Sequence, residues 1–286
     1  MLDRGVERMV DKTYPFYPFE KMAPLIKKYD IAFCNLESII SDKGHPIRKP
    51  ITFEAKIKML KPLLKSNFNV INLANNHALD FGRWALKDCI KRLKGMGFNI
   101  VGAGNNLHEA YMPLILKING IKIGFLSYCL IPTGVPTREN LPQIAVFNKD
   151  TALYYLNKLR DSVDLIIVSM HWGTEYTHFP NKEQKKIGHF LIDNGANIVI
   201  GHHPHVVQEM EYYHSGIIIY SLGNFIFDQI GKERNEGIIF TCKLTKNGIK
   251  DIVLIPYKIR RFRPTLLEHK EKVNFIRRYR DILNLN

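Results

Sequence analysis

Four short apolar runs in this chain each stop on a side chain able to hold a metal ion. IAFCNL (31–36) leads to Glu37, and NVINLA (69–74) leads to Asn75, Asn76 and His77. DLIIVSM (164–170) leads to His171, and NIVIG (197–201) leads to His202, His203 and His205. Runs this short, rich in Ile, Val and Leu, are expected as strands buried on both faces. In an open α/β sheet, ligands gather at the carboxyl ends of the strands, so the pattern predicts one pocket fed by all four.

Between these runs, strand and helix signals alternate. After a segment broken by Pro15, Pro18 and Pro24, the pattern predicts a strand at 31–36, a helix at 54–66 and a strand at 69–74. Leu86, Ile90 and Leu93 mark a helix over 83–95, which Gly95 and Gly97 end. NIVGAG (99–104) is the next strand, and Asn119-Gly120 is a hairpin signal between strands 113–118 and 121–128. Helix 149–160, strand 164–170, helix 182–193 and strand 197–201 follow. From 215, GIIIYSL, EGIIFTCKL and GIKDIVLIPYKI read as consecutive antiparallel strands, with Asn247-Gly248 as a second hairpin turn. A basic helix over 269–283 closes the chain. The sum is a mixed α/β fold, two stacked sheets flanked by helices in one domain.

At 286 residues and 45% apolar content the chain can bury a large core, which excludes gross disorder. It has no apolar run of the roughly 18 residues a membrane helix needs, and its first residues lack the apolar core of a signal peptide. As written it reads as cytoplasmic. The formal charge of +14 favours anionic partners, although the basic residues are dispersed and composition alone explains much of the excess. Cys34, Cys89, Cys129 and Cys242 are far apart, so neither a disulfide framework nor a structural zinc is expected.

Gly201-His202-His203-Pro204-His205 is the sharpest local signal, three imidazoles within four residues after a buried strand. Two of them on one turn can face a common metal, with Pro204 fixing the turn. In Asn75-Asn76-His77 an amide oxygen can ligate and an adjacent imidazole can protonate a leaving group. The same residues, with Asp80 and Gly82, equally read as a turn capping the next helix. His171, before Trp172-Gly173, reads as a ligand or as a hydrogen-bonded structural histidine. Glu37 is a carboxylate at the end of an apolar strand, costly there unless paired, metal-bound or exposed. Ser221-Leu222-Gly223-Asn224-Phe225 offers a close backbone turn near the same pocket, or an ordinary one.

Taken in order, NLE (35–37), NNH (75–77), HWG (171–173), G-x-H-P-H (201–205) and SLGNF (221–225) resemble the CapA family. These are bacterial capsule and poly-γ-glutamate synthesis proteins (PgsA-like) of the calcineurin-like metallophosphoesterase superfamily. The resemblance spans residues 1–265, treated as one domain with 266–286 as a basic helix packed on it. It implies a four-layer α-β-β-α sandwich around two divalent metals, Mn, Fe or Zn. By resemblance Glu37 bridges the metals, Asn76, His171 and His203 ligate one, His205 ligates the other, and His77 is the general acid or transition-state stabiliser. Arg4, Asn75 and Asn224 are the substrate-binding candidates.

One departure matters. The family motif Gly-Asp-x-Met-Leu-x-Arg is matched here from Met1-Leu2-Asp3-Arg4 on, so the chain begins two residues after the metal-binding Asp. The resemblance therefore implies a missing first strand and a depleted position at His205, left with that residue and Glu37. A segment upstream of Met1, as several family members carry, would make the product membrane-associated or extracytoplasmic. The function implied is metal-dependent hydrolysis or transfer on an anionic substrate in capsule or poly-γ-glutamate biosynthesis. Its rivals are a non-catalytic subunit that binds an anionic polymer beside a membrane synthase, and a nuclease or nucleotidase. No aromatic-basic stripe supports specific nucleic-acid binding.

Overall fold

A computed structural model describes residues 1–229, 231 and 233–283. Three parallel strands, β1 (Phe33–Asn35), β2 (Val70–Asn72) and β3 (Asn99–Val101), make one sheet in that order. A six-stranded sheet collects β4 (Leu114–Ile118), β5 (Ile121–Cys129), β6 (Leu165–His171), β7 (Ile198–His202), β8 (Met210–Tyr213) and β9 (Gly216–Ile219). Its order is β8-β9-β7-β6-β5-β4, with β4 and β8 antiparallel at the edges. A third, antiparallel sheet joins β10 (Glu236–Thr245), β11 (Gly248–Arg260) and β12 (Arg263–Leu266).

Side-chain alternation on β6 sets the layers. Ile166, Val168 and Met170 pack outward against α3 (Lys149–Arg160) and α4 (Lys182–Asp193), on Leu156, Leu159 and Leu191. Ile167 packs inward, with Val70 and Val101 from the three-stranded sheet. With a period of two, His171 follows Ile167 onto the inner side. On the far side of β2, Ile71 meets Val6 of α1 (Gly5–Lys12) and Leu86, Ile90 and Leu93 of α2 (Gly82–Gly95). Helices, sheet, sheets and helices thus stack in four layers. Phe275 and Tyr279 of α5 (His269–Tyr279) pack into the inter-sheet core, and residues 284–286 of the 266–286 segment lie outside the described residues.

Between β1 and β10 runs an apolar cavity of about 290 Å³. Phe33 and Cys34 line one side, Ile239 and Phe240 the other, and Phe125 and Ile167 the floor. Among the described residues β1 pairs with β2 and β10 with β11, and no strand lies between their facing edges. One end of this slot reaches Glu37, His203 and His205.

Gly201 is dictated by packing. A Cβ there would stand 1.9 Å from the Tyr220 carbonyl oxygen and 2.5 Å from Trp172 Nε1. Trp172 is fully buried and donates from Nε1 to that same carbonyl (3.0 Å). The backbone cannot yield without moving β7, so Gly201→Ala is expected to cost about 3 kcal/mol, the upper range for overpacking. A thermal melt lowered by several degrees would register it.

Three expectations are corrected. The 54–66 helix is instead Glu54–Ala55 paired in parallel with Ile39–Ile40, a 3₁₀ turn at Ile57–Met59 and a short helix at Leu60–Lys65. The 99–104 strand breaks at Gly102 (φ 82°), and Ala103–Gly104 pairs with Gln143–Ile144 in another sheet. GIIIY does not join the late antiparallel meander: β9 runs parallel to β7 in the six-stranded sheet.

Candidate metal centre

The four strand ends meet. One ligand atom from each of Glu37, His171 and His203 lies within 4.8 Å of the others, and all three residues are buried. Asn76 joins them, its Oδ1 2.9 Å from His171 Nε2. The His171 and His203 rings are 5.0 Å apart, and those of His203 and His205 5.8 Å apart. His205 Nε2 lies 3.8 Å from Glu37 Oε1. A second group of donors within 4.8 Å comprises His203, His205 and Glu175.

Two buried polar atoms lack hydrogen-bond partners here, Glu37 Oε1 and His203 Nδ1. Such orphans are rare and call for an explanation; a cation among them would supply one. Protonation fits as well. Burial alone would raise the Glu37 pKa, but His205, His77, the amino terminus and His203 prevail and hold it below the ordinary value. Burial, then the neighbouring histidines, pushes His171 well below the usual imidazole value. Burial pushes His203 down to about 4, although Glu37 opposes the shift. Neutral imidazoles beside an ionised carboxylate are the state a divalent cation requires. The backbone at His203 (φ 100°) and His205 (φ 60°) is left-handed without glycine, a strain that marks functional loops.

A layer of supporting groups orients the donors. Asn35 Nδ2 donates to Glu37 Oε2 (3.2 Å), and Asn35 Oδ1 accepts from Asn72 and Asn75. His77 Nδ1 lies 2.6 Å from Asp80 Oδ2. Asp80, fully buried, also accepts from Phe53 N (2.9 Å) and Lys49 Nζ (2.9 Å). Lys49 bonds the Asn76 carbonyl as well (2.6 Å), tying the His77 network to a donor residue.

The three substrate-binding candidates each have partners within the protein. The Arg4 guanidinium pairs with Asp228, with Nε 3.0 Å from Oδ2, and lies over the Phe53 ring. Asn75 is buried; its amide donates to Asn35 Oδ1 and the Leu36 carbonyl, and its oxygen accepts from His77 N. Asn224 Oδ1 lies 2.9 Å from His205 Nδ1, which makes it an orienting group for that imidazole. His202 lines the apolar slot, stacked near Phe33. Sequence reasoning missed Asp80, Lys49 and Glu175. Asp80 reads as an ordinary turn residue, and Lys49 and Glu175 sit in loops without periodicity.

Comparisons with known proteins bear on the fold and the family. The fold is that of metallophosphoesterases: 5'-nucleotidase from Candida albicans superposes with a TM-score of 0.51 over 95% of this chain and 54% of that one, at 13% identity. A hypothetical protein from Thermus thermophilus gives a TM-score of 0.56 over 86% and 94%, at 14% identity. Residues 1–229 match the family described as "Bacterial capsule synthesis protein PGA_cap", and the chain belongs to that family. The capsule biosynthesis protein CapA of Bacillus anthracis is 32% identical over 92% of this chain and 66% of its own length. The PGA biosynthesis protein CapA of Bacillus subtilis (strain 168) is 30% identical over 92% and 70%. The chain therefore spans about two thirds of the length of these relatives. Among the described residues no helix is long and apolar enough to cross a membrane.

Proposed function

We propose that the chain is a metal-bearing catalytic domain acting on an anionic substrate in capsule or poly-γ-glutamate biosynthesis. The observation that carries this reading is the convergence of Glu37, Asn76, His171, His203 and His205 around unpartnered donor atoms. Glu37, Asn76, His171 and His203 would hold one divalent ion, and His205 with Glu37 a second. Bound metals of this kind activate water and neutralise charge on a phosphoryl group. Among the chain's own residues, His77 would move the proton. Asp80 holds its Nδ1, which leaves Nε2 to deliver a proton to the leaving oxygen and stabilises the charged ring in between. Lys49 holds the other oxygen of Asp80 and so fixes that carboxylate in place. The net charge of +14 would draw in the anion.

Turnover of a chromogenic phosphodiester with Mn²⁺ tests this. Activity is expected in the wild-type chain and a loss of about 10²–10⁴-fold in His77→Ala, the usual contribution of a general acid. No turnover in either would favour the second reading, a binding subunit for an anionic polymer beside a membrane synthase. That reading draws on relatives from Mycobacterium tuberculosis described as probable polyglutamine synthesis accessory proteins. A nuclease or nucleotidase role has the fold likeness alone in its favour.

A further inference from the structure

We infer that Glu175 is a protein donor of the metal position at His205, alongside Glu37. The inference rests on the metal-centre reading above and adds a ligand to it. It begins with the His205 tautomer. Asn224 Nδ2 donates to the His205, Arg234 and Gln229 oxygens, which fixes the amide so that its Oδ1 faces His205 Nδ1. An amide oxygen only accepts, so Nδ1 carries the hydrogen and the lone pair sits on Nε2. Metal-binding histidines are oriented in this way.

That lone pair faces two carboxylates. Nε2 is 3.8 Å from Glu37 Oε1 and 3.9 Å from Glu175 Oε1. Both separations are too long for hydrogen bonds. They suit donors on either side of one cation with bonds of about 2.0–2.2 Å. Glu37 Oε1 is the buried oxygen without a partner, and Glu175 approaches from the solvent side, its side chain 44% exposed.

The chain directs Glu175 to this place. Gly173 (φ 88°) turns the backbone sharply just after His171, where a Cβ would run into the Gln184 side chain. Tyr176 N then donates to the Pro204 carbonyl (2.8 Å), pinning the Glu175 loop to the loop of His203 and His205. The Tyr176 ring stacks on His205 at 5.9 Å, and the Arg234 guanidinium covers that ring at 3.9 Å. One imidazole and two carboxylates make an oxygen-rich position suited to Mn²⁺.

The test uses the full chain, Mn²⁺ as the probe and metal binding as the readout. Wild type is expected to retain two Mn²⁺ per chain after gel filtration, with the exchange-coupled paramagnetic resonance signal of neighbouring ions. Glu175→Gln should keep the first ion, bind the second at least about 10-fold more weakly and lose the coupled signal. An exposed control, Glu183→Gln, should match wild type. Two equally tight ions in wild type and Glu175→Gln, or one in both, would overturn the role of Glu175 while leaving the metal centre standing. No bound Mn²⁺ in wild type would overturn both.

Discussion

His203→Ala is expected to strip the chain of bound metal. His203 belongs to both donor groups, with Glu37 and His171 on one side and with Glu175 and His205 on the other. One substitution therefore removes a ligand from the first position and a donor within 4.8 Å of the second. Even supporting residues around a metal change affinity about 10–100-fold, so loss of a ligand should exceed the top of that range. The effect on stability should depend on the metal. At a free concentration a hundred times its dissociation constant, an ion bound by the folded state adds about 2.7 kcal/mol. Wild type should thus melt higher when Mn²⁺ is added, and His203→Ala should not respond. Elemental analysis of the dialysed proteins reads the same result directly; unchanged metal content in the variant would contradict it.

Asp80→Asn should be the most damaging single-atom change outside the donors themselves. The carboxylate has zero exposure and serves Lys49, Phe53 N and His77 at once. Lys49 is largely enclosed, so neutralising its partner leaves a charge with one carbonyl to bond. Breaking an enclosed pair in this way costs about 3 kcal/mol. The same change lets the His77 ring lose its orientation and its charge partner. The expected result is a melting temperature lower by several degrees together with a loss of about 10²–10⁴-fold in turnover. If turnover fell in proportion to the unfolded fraction alone, Asp80 would be a purely structural residue.

What could be read from sequence follows from how each signal arises. Ile166–Met170 and Ile198–Ile200 are apolar on both faces because helices cover one side of their sheet and another sheet covers the other. Burial of that kind is written into consecutive residues, and so are the strand ends that carry His171 and His203. The neighbours of a strand are not. GIIIY looks the same whether it pairs with β7 or with the late meander, because register and sheet partner depend on contacts remote in sequence. The 54–66 segment failed for a related reason: Ala55, Met59 and Leu63 are buried at spacings of four that imitate a helix, while Glu54–Ala55 pairs with Ile39–Ile40.

The same distinction separates donors from their supports. Glu37, Asn76 and the histidines stand at strand ends, where local pattern points to them. Asp80, a support, and Glu175, the inferred further donor, are placed through distance alone, at 2.6 Å from His77 and 3.9 Å from His205. Asn224 carried a turn signal, yet its contact with His205 Nδ1 bridges 19 positions of chain. All four thiols are free in the structure, and burial pushes Cys34, Cys89 and Cys129 up to about 12.

The most direct test is a crystal soaked in Mn²⁺ and measured for anomalous scattering. The expected result is a strong peak bounded by Glu37, Asn76, His171 and His203, with a second, weaker peak beside His205. A map with no peak among those side chains, at an ion concentration that saturates other manganese proteins, would contradict the metal centre outright.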